Sequence, residues 1–260
     1  MNELFIGGGG YDGITYIGAL EYIHKNKLLD LKNFYGCSIG SLIGILYSSG
    51  CSPLDMLNFF MEENIQDVVK YDINNIDKKC ILDDSLLEKI LSILDRYIKP
   101  GITILEFYNK TKIDINIYAT NITKNEYYIF NKKNKPNVKV KNAIKASMSI
   151  PFLFRPVEID KELYVDGCCK NLLGSPPDNR FILGYAIIGI IDKNNYITDI
   201  LKSMINTSKP RCNFLIECIK TTDIYEYGKL NIKDNFKIFK MYKSGIDFSK
   251  KELPIGIHGF

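Results

Sequence analysis

The chain has 260 residues, 46% hydrophobic and 25% charged, which suits one large globular domain or two small ones and excludes long disorder as a starting expectation. A net charge of +4 is too small to point to nucleic-acid binding, though it would not oppose contact with an anionic membrane surface. Seven cysteines, an odd number with no paired Cys-x-x-Cys spacing, read as reduced thiols and give neither a disulfide framework nor a zinc site.

Leu4-Phe5-Ile6 predicts a short strand running into Gly7-Gly8-Gly9-Gly10. No secretory segment precedes it, and no apolar run approaches the ~20 residues of a spanning helix. The expected setting is therefore cytoplasmic, without a transmembrane segment and with at most peripheral membrane contact. Residues 14–24 predict a helix, with Ile14, Ile17 and Leu20 at helical spacing. Asn33-Phe34-Tyr35 predicts a second strand. It leads into Gly36-Cys37-Ser38-Ile39-Gly40 and an apolar helix over 41–49 that Gly50 stops.

Ser52 and Pro53 open a further helix as N-cap and first helical residue. An amphipathic helix is expected over 84–98, closed by Pro100-Gly101. Thr103 and Glu106 form a capping-box pattern for a short helix to about Lys110. Strands are expected at 115–120 and 127–130, a polar turn at 131–137, a helix at 140–148, and a strand pair at 157–159 and 163–165. The apolar run 181–191 suits a buried strand, because Gly184 and Gly189 weaken a helix. Helices at 197–206 and 212–219 and a strand at 236–242 complete the reading. Strands alternating with helices, without repeat or linker, predict a single α/β domain over residues 1–260 with a largely parallel sheet.

Gly8-Gly9-Gly10-Tyr11-Asp12-Gly13 fits G-x-G-x-x-G between a strand and a helix. Three readings compete. A dinucleotide site would place pyrophosphate on the helix N-terminus. An oxyanion hole would use backbone N–H groups that glycines leave unobstructed. A bare turn would bind nothing. The dinucleotide reading needs an acidic residue at the end of the second strand, but that strand ends in Gly36-Cys37-Ser38, and Asp30 lies before it.

Gly36-Cys37-Ser38-Ile39-Gly40 is the nucleophile-elbow pattern. The turn is so sharp that serine takes a strained backbone conformation, and the glycines two residues on either side avoid clashes. A serine hydroxyl needs a base to take its proton. The alternative is a helix N-cap serine. The chain has two histidines. His24 lies roughly 16 Å along the first helix from the loop, and His258 is two residues from the last residue. A histidine-dependent triad is disfavoured. A carboxylate held near the hydroxyl can serve instead. Asp166, in Leu163-Tyr164-Val165-Asp166-Gly167, follows an apolar strand and is the candidate, against the alternative of an Asp-Gly turn.

Taken together, the glycine loop, Gly-x-Ser-x-Gly and Asp-Gly, in this order, resemble the patatin-like phospholipases. Tyr118-Ala119-Thr120-Asn121-Ile122-Thr123, and Ala146-Ser147-Met148-Ser149-Ile150-Pro151-Phe152 followed by Pro156-Val157, extend the likeness over roughly residues 3 to 190. The resemblance implies a three-layer α/β/α sandwich with a mainly parallel central sheet. It implies a Ser38–Asp166 dyad cleaving acyl esters of phospholipids or neutral lipids. Backbone N–H groups of Gly8, Gly9, Gly10 and Gly13 would hold the oxyanion, and Gly36 and Gly40 would shape the elbow. No metal or organic cofactor, and no nucleic-acid partner, is implied.

Two positions depart from the family pattern. Asp12 stands where Arg or Lys is usual, so a carboxylate opposes the developing oxyanion unless it points outward or is paired. Cys168 stands where a second glycine usually follows the Asp-Gly. The Asp12 departure motivates the alternative of a catalytically weak or inactive lipid-binding protein on the same fold. Phe152, Leu153 and Phe154 are candidates for an acyl pocket or a membrane contact, or for plain core packing.

Overall fold

The computed structural model describes residues 1–62, 84–170, 183–188, 214–219 and 235–253. The described residues contain eight strands of one mixed, mostly parallel sheet flanked by helices. Its parallel part runs β3 (Asp114–Asn121), β2 (Asn33–Cys37), β1 (Glu3–Ile6), β7 (Leu183–Ile188) and β8 (Phe214–Ile219). The antiparallel part comprises β4 (Glu126–Phe130) and β6 (Glu162–Asp166), both on β3, and β5 (Val157–Ile159) on β6.

β1 is buried at every position, which is why Leu4, Phe5 and Ile6, after the buried Glu3, form an apolar run without alternation. The period of two still sorts its side chains. Leu4 and Ile6, with Phe34, Ile117 and Ala119, belong to the main core. Phe5, Cys37 and Tyr118 form a second, smaller cluster.

The main core is covered by α1 (Ile14–Lys25), α2 (Ile39–Ser48), α3 (Pro53–Glu62), α4 (Asp84–Leu91), α5 (Ile104–Thr111), α6 (Val140–Met148) and α7 (Asn235–Glu252). At α5 both halves of the Thr103–Glu106 capping box are made. α1 and α7 touch backbone to backbone. A Cβ on Gly18 would fall 1.8 Å from the Tyr242 carbonyl oxygen, and one on Gly245 would fall 1.9 Å from that of Thr15.

Three expectations change. The amphipathic helix at 84 ends at Leu91 and continues as a 3-10 turn over Ser92–Arg96. Residues 214–219, expected to be helical, form β8 beside β7. A short apolar run carries no period that separates the two states. Residues 236–242, expected to be a strand, open α7. Ile238, Met241, Tyr242 and Ser249 are buried and Phe236 and Phe239 are exposed, so the run obeys a helical period. The helix expected at 197–206 lies outside the described residues, and the 181–191 run contains β7.

The register on β3 positions the site. Ile117 and Tyr118 pair with Gly36 and Cys37 of β2, and with Phe130 and Ile129 of β4 on the other edge. Ala119, Thr120 and Asn121 keep β4 on that other edge but pair with Asp166, Val165 and Tyr164 of β6. β2 and β6 therefore share one edge of β3 and meet end to end, at Cys37 and Asp166.

Candidate active site

Ser38 occupies the one residue between β2 and α2, at φ 53° and ψ −131°, a backbone conformation strained for any residue with a side chain. Its neighbours explain how the turn is possible. A Cβ on Gly40 would lie 2.4 Å from the carbonyl oxygens of Ile6 and Gly7. One on Gly36 would lie 2.5 Å from the Phe34 ring and 2.7 Å from the Ser41 Cα. The two glycines let α2 start directly against the end of β1, where the glycine loop begins. Ser41 closes the turn, its hydroxyl donating to the Ser38 carbonyl at 2.6 Å.

Asp166 ends β6 and is 2% exposed. The Ser38 hydroxyl donates to its Oδ2 at 2.6 Å. The Cys168 N–H donates to Oδ1 at 2.8 Å. The backbone is fixed as well: the Asp166 N–H donates to the Ser149 carbonyl at 2.9 Å, and the Thr120 hydroxyl to the Asp166 carbonyl at 3.0 Å. Burial pushes the Asp166 carboxyl up to about 6, against the hydrogen bonds from Ser38 and Cys168 that favour its charged form.

One contact has no counterpart in the motif reading. The Ser38 N–H donates to the hydroxyl of Ser147, fully buried on α6, at 2.8 Å. Ser147 stood in the segment preceding Pro151, yet nothing in local spacing links it to a turn 109 residues away.

The glycine loop forms a 3-10 turn over Gly10–Gly13, with Gly10 at φ 53°. The Tyr16 hydroxyl donates to the Gly8 carbonyl at 2.8 Å, and Gly13 packs against Ile39, the first residue of α2, where an added Cβ would fall 2.8 Å from the side chain. The loop and the elbow are thus in contact. Asp12 does not point outward: it is buried within this turn, 5% exposed.

The remaining candidates divide. His24 is exposed on α1, its ring edge-on to Tyr47, and His258 lies outside the described residues. Phe154 joins the core, whereas Phe152 is 57% exposed at φ 67°. The Cys37 and Cys168 thiols are 3.4 Å apart. Their hydrogen bond works to lower the Cys37 pKa, but burial and the Asp166 charge outweigh it and hold that thiol above its usual value. Cys168 is raised well above it by the Cys37 hydrogen bond, burial and Asp166. Cys37, Asp166 and Cys168 are also a set of residues able to ligate a metal ion.

The sequence model of the family described as patatin-like phospholipase matches residues 4–172. The chain is 29% identical over 180 residues to the probable lipid hydrolase 463L of Invertebrate iridescent virus 6, covering 65% of this chain and 60% of that protein. It is 27% identical over 169 residues to the triacylglycerol lipase ptl3 of Schizosaccharomyces pombe, covering 58% of this chain and 33% of that protein. The aligned region thus spans less than two thirds of either relative. The fold is similar to that in the crystal structure of VipD from Legionella pneumophila, with a TM-score of 0.60 at 15% identity over 96% of this chain and 66% of that one.

Proposed function

Because the chain belongs to the patatin-like phospholipase family, we propose that it is a lipid hydrolase cleaving acyl esters through a Ser38–Asp166 dyad. The observation that carries this reading is the 2.6 Å hydrogen bond from the Ser38 hydroxyl, at its strained turn, to the buried Asp166 carboxylate. A serine there attacks the ester carbonyl as Asp166 takes its proton. A carboxylate raised to about 6 remains mostly ionised at neutral pH and accepts that proton more readily than one at its ordinary value.

The tetrahedral intermediate places negative charge on the former carbonyl oxygen. Backbone N–H groups of Gly8, Gly9, Gly10 and Gly13, beside the elbow, are the donors assigned to it. Collapse expels the alcohol, which recovers the proton from Asp166 and leaves an acyl-Ser38. Water then attacks with Asp166 again as base, and the fatty acid departs.

The proposed substrate is a phospholipid or neutral-lipid ester, supported by the family's description as patatin-like phospholipase and by relatives described as a probable lipid hydrolase and a triacylglycerol lipase. Exposed Phe152, three residues beyond the Ser149 carbonyl that anchors Asp166, is the proposed point of peripheral membrane contact. Among the described residues no helix is long and apolar enough to cross a membrane. The second reading, a lipid-binding protein with little or no turnover, is favoured by buried Asp12 in the loop assigned to the oxyanion. Labelling by a fluorophosphonate probe, with hydrolysis of micellar and vesicle esters, separates the two: a Ser38 that neither labels nor turns over supports binding alone.

A further inference from the structure

Cys37 and Cys168 take no part in the reaction above, yet each stands beside one of its members. Cys37 precedes Ser38, and Cys168 follows Asp166 by two residues. Their Sγ atoms are 3.4 Å apart, and with a carboxylate oxygen of Asp166 they form a set whose ligand atoms all lie within 4.8 Å of one another. Gly167 makes the approach possible, since a Cβ there would fall 2.8 Å from the Cys37 sulfur and 2.6 Å from the Tyr118 carbonyl oxygen.

A tetrahedral zinc ion, with bonds of about 2.3 Å to sulfur and about 2.0 Å to oxygen, holds its ligands roughly 3.5–3.8 Å apart. The thiols are already near that spacing, and the carboxylate, within 4.8 Å of both sulfurs, needs to close by no more than about 1.3 Å. Two thiolates and one carboxylate suit zinc better than magnesium or calcium, which take oxygen ligands. Three protein ligands leave the fourth position to water or to the Ser38 hydroxyl.

We propose that Cys37, Asp166 and Cys168 bind a thiophilic divalent cation, zinc being the ion that fits, and that its binding silences Ser38. Coordination displaces the two thiol protons to solvent and engages the carboxylate that otherwise accepts the Ser38 proton. The silencing rests on the dyad reading; the binding does not.

The test uses the full chain, kept reduced with a non-chelating phosphine and titrated with Co²⁺ and then Zn²⁺. The expected result is a sulfur-to-cobalt charge-transfer absorption that zinc abolishes. Ester hydrolysis and fluorophosphonate labelling of Ser38 fall in parallel and return with EDTA. Cys168→Ala loses the absorption and raises the half-inhibitory zinc concentration at least about tenfold. Cys37→Ala repeats the comparison from the other ligand, with circular dichroism checking the fold of each variant.

A wild-type chain without the absorption, or an absorption that survives both substitutions, overturns the site. Inactivation that needs an oxidant and is undone by dithiothreitol, with a Cys37–Cys168 cross-linked peptide, overturns it in favour of a disulfide. Metal binding that leaves Ser38 labelling untouched overturns the silencing. An absorption lost in Cys168→Ala, in a chain whose wild-type Ser38 never labels, sustains the metal site and refutes the dyad instead.

Discussion

Cys37 and Asp166 pair with consecutive residues of one strand, Cys37 with Tyr118 and Asp166 with Ala119. β2 leaves the edge of β3 at the point where β6, running the other way, takes it over. The residue after Cys37 is forced out of the sheet into the Ser38 turn, directly against the end of β6. The 2.6 Å contact between Ser38 and Asp166 is therefore a property of strand register. It does not depend on a mobile loop.

If that contact is the catalytic dyad, Asp166→Asn keeps the shape and loses the base. Ester hydrolysis is expected to fall by about 10²–10⁴-fold in kcat, the usual worth of a positioned base. Ser38→Ala is expected to abolish both turnover and fluorophosphonate labelling. Asp166→Asn should also raise Tm at neutral pH, because it removes a buried charge. Wild-type turnover surviving both substitutions would refute the dyad.

The pH dependence follows from the same carboxyl. The base form of Asp166 grows as pH rises through about 6, so kcat/KM is expected to rise through that pH and level above it. Stability moves the other way. With the folded pKa above the unfolded one, the folded state binds more protons between about 4 and 6. This group's contribution is therefore most favourable below that window and is lost as pH rises through about 6, at a cost on the order of 3 kcal/mol. His24→Ala and His258→Ala are each expected to leave the activity profile in place, which together exclude a histidine as its origin; a profile that disappears in either variant would point to a triad.

The elbow makes a purely steric prediction. An alanine at Gly40 drives its Cβ to 2.4 Å from two backbone carbonyl oxygens, and neither Ile6 nor Gly7 can yield without moving β1. Gly40→Ala is expected to lower stability by about 1–3 kcal/mol and to remove activity in whatever fraction stays folded. Denaturant melts and active-site titration read the two effects separately. A variant with wild-type stability would mean that α2 starts further from β1 than described.

How far the sequence spoke for itself depended on whether a feature was local. The elbow was legible because one sharp turn needs Gly36, Ser38 and Gly40 at fixed spacing. Asp166 was legible because it ends an apolar strand before a glycine. Ser147 was not, since it reaches Ser38 from α6 across 109 residues and only tertiary packing joins them. The burial of Asp12 was equally hidden, because a carboxylate in a glycine loop ordinarily stays in water. α7 was misread as a strand because the apolar density of 236–242 masked its period. The buried face, Ile238, Met241 and Tyr242, interleaves with the exposed Phe236 and Phe239.

Ser147 carries its own prediction as a positioning residue. Ser147→Ala leaves the buried Ser38 N–H without its acceptor, at a cost of about 1–3 kcal/mol. Because the hydroxyl holds the turn and reaches no substrate in the proposed reaction, kcat and the fluorophosphonate labelling rate should fall while KM stays near wild type. Ser147→Thr, which keeps the hydroxyl, should recover much of the labelling rate. A rise in KM alone would place Ser147 in lipid binding instead.

Asp12 decides between the enzyme and the weakly active alternative. Its side chain is buried in the 3-10 turn that holds Gly10 and Gly13, two of the assigned oxyanion donors, and a negative charge there raises the energy of a tetrahedral intermediate more than that of the neutral ester. Asp12→Asn removes the charge while keeping size and hydrogen-bonding capacity, so kcat is expected to rise severalfold with little change in KM. Asp12→Ala removes the charge but also opens a cavity, and the gain in kcat should come with a loss of Tm. The comparison is made on one vesicle substrate at a fixed pH above 7, where Asp166 is ionised in every variant. If Asp12→Asn lowers kcat instead, the carboxylate is supporting the loop's active shape, and the oxyanion must be held by N–H groups it does not oppose.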